Sequence, residues 1–212
     1  MSAGTGGTIA GTTHSLTHSL THSLTHSLTH SLTHSGVSNY LKNKNKRIQI
    51  VLADPTGSSL LSKVKYNVCY TAQQSERKIK KHRYDSIVEG VGLDRITKNF
   101  NLAVIDDAYS VTDQAVLDTV SSRSFTYLFI HSLTNSKAHM LLQKEGLFVG
   151  SSSALNIAIA LKLAASGEYY NTNKTIVTVV CDAGQRHLSR FWNPLYVHNY
   201  NLQWPSPDAT TR

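Results

Sequence analysis

Two stretches decide the fold class: Glu145–Ser166, EGLFVGSSSALNIAIALKLAAS, and, shortly after it, Thr175–Cys181, TIVTVVC. Leu147-Phe148-Val149 is a short apolar run of strand type that breaks at Gly150 and the three serines Ser151, Ser152 and Ser153. Ala154–Ser166 reads as a helix, with Ile157, Leu161 and Ala164 expected on one buried face and Gly167 as its stop. Thr175–Cys181 is rich in β-branched residues and predicts a further strand. Strand, loop, helix, strand is the order of an α/β fold whose mostly parallel sheet is covered by helices. The serine run sits where helix amides lack partners, so its hydroxyls can cap them, and a polar ligand atom can lie against the same end.

The same pattern extends toward the amino terminus. Ile48–Ala53 predicts a strand, closed by the turn residues Asp54-Pro55-Thr56-Gly57. Val37–Lys42 predicts a short amphipathic helix before it, ended by Asn43–Arg47. Asp85–Gly92, DSIVEGVG, is a short apolar piece with two glycines that allow close backbone approach. Thr112–Val120 and Ala138–Lys144 are helical, and Arg123–Lys137 reads as an insertion dividing them.

Residues 13–34 are a near-perfect Thr-His-Ser-Leu repeat, with His14, His18, His22, His26, His30 and His34 four residues apart. Half of the repeat is Ser or Thr and its period drifts off a 3.6-residue turn, so disorder is expected, with adventitious metal binding as the alternative. ACTC repeated three times encodes Thr-His-Ser-Leu, so a microsatellite or unspliced intron read in frame would produce the segment. Without it, Gly4–Gly11, GTGGTIAG, runs into Val37 as a glycine-rich turn entering a helix. Successive amides in such a turn can cradle phosphate, although GTGGT fits neither the Walker spacing nor GxGxxG.

Composition removes several function classes. The chain has 212 residues, 40% of them hydrophobic, and a net charge of +8 concentrated at Lys42–Arg47 and Arg77–Arg83. The second cluster can touch phosphates, yet it lacks aromatic interleaving, so no nucleic-acid partner is expected. No run of 18 apolar residues predicts a membrane span, and no apolar signal core predicts secretion. Cys69 and Cys181 match no zinc or redox spacing, and no metal site is expected. Cys181, at the end of an apolar run, reads as a buried thiol in a reducing compartment.

GTGGTIAG, VLADPTGS, IVEGVGLDRI, IDDAYSVTD, EGLFVGSSSA and CDAGQRHLSRFW occur here in one order. Together they resemble the pyridoxal-phosphate-dependent cysteine synthase and cystathionine β-synthase family, in its fungal cysteine-synthase-like branch. The resemblance covers residues 2–11 and most of 37–193. It implies a partial tryptophan-synthase-β-like domain (the second fold type of pyridoxal-phosphate enzymes), three-layered around a mostly parallel sheet, with the amino-terminal half absent. The corresponding segments are 1–11 as a phosphate-loop remnant, 12–36 as the repeat, 37–193 as the carboxyl-terminal part of the enzyme domain and 194–212 as a tail.

By the same resemblance Thr5, Gly6, Gly7 and Thr8 would bind the phosphate of pyridoxal 5'-phosphate, and Ser152 the pyridine nitrogen. Gly90 lies in the Glu89–Gly92 loop, which resembles the mobile loop flanking the amino-acid substrate. The implied reaction is β-replacement, in which an activated L-serine and sulfide give L-cysteine, and a neutral Ser152 hydroxyl suits it by leaving the ring nitrogen largely unprotonated. The family's catalytic lysine lies upstream of GTGGT, which begins here at residue 4, so no catalytic residue is assigned and this form of the chain is expected to be inactive. The alternative is a non-catalytic binding partner of a full-length relative, and a homo-oligomer is a further implied assembly. The family resemblance also implies a cytoplasmic or mitochondrial compartment. Apolar surface left uncovered by the absent half would make the isolated product poorly soluble.

Overall fold

Gly36–Lys44 forms α1, two residues longer at its end than the amphipathic pattern suggests, and its last turn carries Lys42 and Lys44, where cations complement the helix dipole. The computed structural model describes residues 36–71, 86–119, 141–142, 145–167, 169 and 173–204. The glycine-rich loop at Thr5–Thr8, the repeat, the basic cluster Arg77–Arg83 and the insertion expected at 123–137 lie outside the described residues. The chain divides into two compact units. The first contains the described residues up to Thr71 together with Gly90–Ser110; the second contains residues 86–89 and the described residues from Val111 onward.

In the first unit, β1 spans Val51–Pro55 and β2 spans Asp107–Val111, paired as a two-stranded parallel sheet. Parallel pairing requires a crossover, which here carries the short helices α2, Leu60–Tyr66, and α3, Lys98–Asn101. The strand predicted at Ile48–Ala53 begins three residues later than expected. Asp106 causes the shift: its carboxylate takes the Ile50 amide at 2.6 Å, while the Ile50 carbonyl accepts from the Asp106 amide at 2.9 Å. The second carboxylate oxygen's neighbour, Lys42, pairs with Asp106 at 2.7 Å and so ties α1 to the strand entrance. Leu52, Leu60, Phe100 and Ala108 form the core of this unit, flanked by Leu61, Val64, Leu93 and Ile96. Gly92, at φ 80°, has no room for a side chain: a Cβ there would lie 2.7 Å from Pro55 Cγ.

In the second unit, α4, Asp113–Thr119, packs against α5, Ser151–Ala164. The helix predicted from Ala154 starts three residues earlier, so the serines occupy its first turn and Gly150 is the residue before it. The expected buried face is also corrected. Ile157, Leu161 and Ala164 are only half-buried, whereas Leu155, Ile159 and Leu163, with Ala154 and Ala158, are buried. The helix is enclosed on nearly every side through Asn156, so apolar residues recur in more than one helical stripe and periodicity selects the wrong one.

Thr175–Cys181 does not form the predicted strand; among the described residues it has no ladder partner. Val177 is 86% exposed, and Cys181 is exposed rather than the buried thiol its apolar setting suggests. High β-propensity needs a neighbouring strand to bury its faces, and here side chains of α5 hold the segment instead. Asn156 Nδ2 donates to the Val179 carbonyl at 2.9 Å and Ser153 Oγ accepts from the Cys181 amide at 2.8 Å. Asn156→Ala should therefore lower unfolding stability by about 1–2 kcal/mol, because it strips a buried amide bond. A urea midpoint equal to wild type would contradict that role. The described residues are α/β with a small parallel sheet of two strands, consistent with the expected class, and Val149 and Ala183 add one isolated antiparallel bridge among them.

A 3-10 turn, Gly184–His187, and α6, Pro194–Asn199, complete the unit. Pro194 opens α6, and Asn193 caps it by accepting from the Leu195 amide at 3.0 Å. Trp192 donates its indole N–H to the Val149 carbonyl at 2.9 Å and stacks near Phe148, ring centres 4.9 Å apart. Among the described residues no helix is long and apolar enough to cross a membrane.

Candidate functional site

The first turn of α5 carries three adjacent hydroxyls with three different fates. Ser151 Oγ accepts from the Glu89 amide at 3.0 Å. Ser153 Oγ accepts from the amides of Cys181 and Asp182, at 2.8 and 3.3 Å, and donates to the Asp182 carbonyl at 3.2 Å. Ser152 is buried between them, and its hydroxyl has no hydrogen bond to another described residue. The serines therefore do not cap their own helix. Two of them staple outside segments to the helix start, and the third bonds to no other described residue through its hydroxyl.

Around this turn lies a charged cluster that the sequence reading did not single out. His187, 7% exposed at its side chain, has Nε2 2.7 Å from Asp182 Oδ2 and Nδ1 3.1 Å from Glu89 Oε2. The first is a hydrogen bond; the second has ion-pair distance without hydrogen-bond alignment. Arg190 Nη1 donates to Glu89 Oε1 at 2.9 Å. Asp182 is brought to the helix start by main-chain bonding, its carbonyl accepting from the Gly150 amide at 3.0 Å. Gly150 is required by space: a Cβ there would stand 2.0 Å from Asp182 Oδ1 and 2.8 Å from His187 Nε2.

Among the described residues no group of three or more His, Cys, Asp or Glu side chains is arranged to hold a metal ion. In this cluster the reason is geometric, because the two imidazole nitrogens address carboxylates on opposite edges of the ring.

Of the residues expected to bind the cofactor, Thr5, Gly6, Gly7 and Thr8 lie outside the described residues. Gly90 is in the first unit at φ 76°, the left-handed region expected of a loop glycine, and open space surrounds its Cα. Ser152 is in the second unit at the start of α5. Glu89, which bonds to Ser151, belongs with the serine turn to the second unit. The spacing of Asp182 and His187 across a glycine was the available signal for the cluster; Glu89, about a hundred positions earlier in the chain, offered none.

No protein-family model matches the chain. Among curated proteins it is 40% identical over 169 residues to cysteine synthase 2 of Schizosaccharomyces pombe, covering 79% of this chain and 38% of that relative. It is 38% identical over 159 residues to cysteine synthase 2 of Emericella nidulans, covering 74% of this chain and 32% of the relative. It is 34% identical over 202 residues to a cysteine synthase of Dictyostelium discoideum, covering 95% of this chain and 41% of the relative. The chain thus spans well under half the length of these relatives.

Proposed function

Because this chain belongs to the cysteine synthase family, we propose that it carries the ring-nitrogen side of a pyridoxal-phosphate site in a cysteine-synthase-like β-replacement protein. The observation that supports this reading is the buried Ser152, whose hydroxyl has no partner among the described residues, flanked by two serines bonded to segments elsewhere in the chain. That hydroxyl suits a heteroaromatic nitrogen. It is neutral, it can donate or accept, and Ser151 and Ser153 fix the helix turn on which it sits.

Bound pyridoxal phosphate supplies electron withdrawal for loss of an α-proton and a β-substituent from an activated L-serine, with sulfide as the incoming nucleophile. The chain's own residues perform simpler tasks. Ser152 orients the ring by a hydrogen bond and places no charge on its nitrogen. Thr5, Gly6, Gly7 and Thr8 are the residues proposed for the phosphate, and the loop containing Gly90 for the amino-acid side. Within the second unit the Ser151 hydroxyl accepts from the Glu89 amide and holds Glu89 to α5.

Titration of the full chain with pyridoxal 5'-phosphate, followed by fluorescence, tests the assignment. Ser152→Ala should weaken binding about tenfold, the loss of one buried hydrogen bond to a polar ring atom. Equal affinity in the two proteins, or no binding by wild type, counts against it.

A second reading, a non-catalytic partner of a longer relative, is favoured by the apolar segment that includes Val177 and Val180, both exposed. It predicts that the chain co-purifies with such a relative, and separate elution of the two would remove it.

A further inference from the structure

We infer that His187 is a positioning residue for the serine turn: through Asp182 on one side and Glu89 on the other, it holds both flanks of Ser152. The inference deepens the reading of Ser152 given above and rests on it for its functional meaning. Two contact paths leave the imidazole. One runs from Nε2 to Asp182 at 2.7 Å, and the main chain of Asp182 then bonds to Gly150 at 3.0 Å and to the Ser153 hydroxyl at 3.2 Å. The other runs from Nδ1 to the Glu89 carboxylate at 3.1 Å, and the Glu89 amide bonds to Ser151 at 3.0 Å. Both paths end on neighbours of Ser152.

A planar ring suits this task because it sets the distance between the carboxylates lying at its opposite edges, which a flexible lysine or glutamine side chain does not. The two ends are unequal. Asp182 is held by an aligned hydrogen bond and by its main chain. Glu89 is held by an unaligned contact to His187 and by Arg190, whose side chain is 47% exposed. Next in the chain is Gly90, at φ 76° with nothing within 4 Å of where a Cβ would stand. The Glu89 end is thus the releasable one, and the Asp182 end is the fixed one.

Amide hydrogen exchange on the full chain without ligand tests the strut. His187→Asn should speed exchange about tenfold in the peptides covering Ile87–Glu89 and Gly150–Ser153, through loss of the Glu89 contact on one side and the Asp182 hydrogen bond on the other. The peptide carrying Leu52 should exchange at its wild-type rate. Glu89→Gln, a substitution at the releasable end, should speed exchange in the Ile87–Glu89 peptide alone, and it keeps the test decisive if His187→Asn does not fold. In the same proteins, His187→Asn should weaken pyridoxal 5'-phosphate binding about tenfold. Unchanged exchange in both peptides overturns the inference, as does a uniform rise that includes the Leu52 peptide, which would mark a merely structural residue. If wild type fails to bind pyridoxal 5'-phosphate while the local exchange pattern holds, the Ser152 reading falls and the strut remains.

Discussion

Gly150→Ala is expected to lower unfolding stability by about 3 kcal/mol and to break the contact between His187 and Asp182. The cause is not conformational freedom. Gly150 has φ −75° and ψ 170°, dihedrals that alanine adopts without strain. The cause is a carboxylate oxygen occupying the place of the missing methyl, 2.0 Å from where a Cβ would stand, with Asp182 Cγ at 2.7 Å and His187 Nε2 at 2.8 Å. Asp182 cannot retreat easily, because its carbonyl accepts from Gly150 and its amide donates to Ser153. Either the helix start moves or the carboxylate leaves its imidazole; overpacking and an orphaned buried partner each cost on the order of 1–3 kcal/mol. Gly90→Ala is the contrasting variant: its penalty comes from a positive φ alone, in open space, and should be about 1–2 kcal/mol. Urea unfolding of the two variants separates the causes. A Gly150→Ala midpoint at or above that of Gly90→Ala would refute the steric argument.

Asp54→Asn should abolish a stability loss of about 3 kcal/mol that wild type suffers between pH 4 and 7. Asp54 is buried at the end of β1, where one carboxylate oxygen accepts from the Leu61 amide at 2.8 Å and the other has no hydrogen-bond partner among the described residues. Burial pushes its carboxyl from 3.8 up to about 6, against the smaller opposing pulls of the Ser58 hydroxyl and the Leu61 amide. The folded protein therefore binds this proton more tightly than the unfolded chain does. The stabilisation is complete below pH 3.8 and is lost as pH rises through about 6, above which the curve is flat. Asparagine can still accept from Leu61 and carries no charge to bury. Asp107 has the opposite sign. Burial raises its pKa, but the Ala108 amide, Lys65 and Tyr109 outweigh that and leave it below the ordinary value, so its contribution is lost toward low pH. Subtracting the variant's stability–pH curve from that of wild type isolates Asp54. A difference that stays constant across this range would show that the carboxylate is hydrated or partnered in solution.

Local chemistry that was legible in the sequence is the chemistry that neighbouring residues decide. The helix over Val37–Lys42 and the turn at Thr56-Gly57 fall where short-range rules put them, although Asp54 and Pro55 join the strand. Of the two glycines expected to allow close approach, Gly92 does so against Pro55, whereas Gly90 has no described atom within 4 Å of a Cβ position. The ordered motifs also carried the family, which the curated relatives support at 34–40% identity. The errors have a common origin. Thr175–Cys181 has strand chemistry without a neighbouring strand, and Ile157, Leu161 and Ala164 form an apolar stripe on a helix that buries a different one. Whether a side chain is covered depends on elements that arrive from elsewhere in the chain.

Sequence alone therefore determined the α/β alternation, the glycine turns and the membership of the cysteine synthase family, because propensity and motif order reside in consecutive residues. Tertiary structure decided which of three identical neighbours are drawn into bonds with distant segments. Ser151 answers to Glu89 and Ser153 to Cys181 and Asp182, across separations of 62, 28 and 29 residues. A hydroxyl's availability is set by the partners it lacks, and those partners come together only when the chain folds.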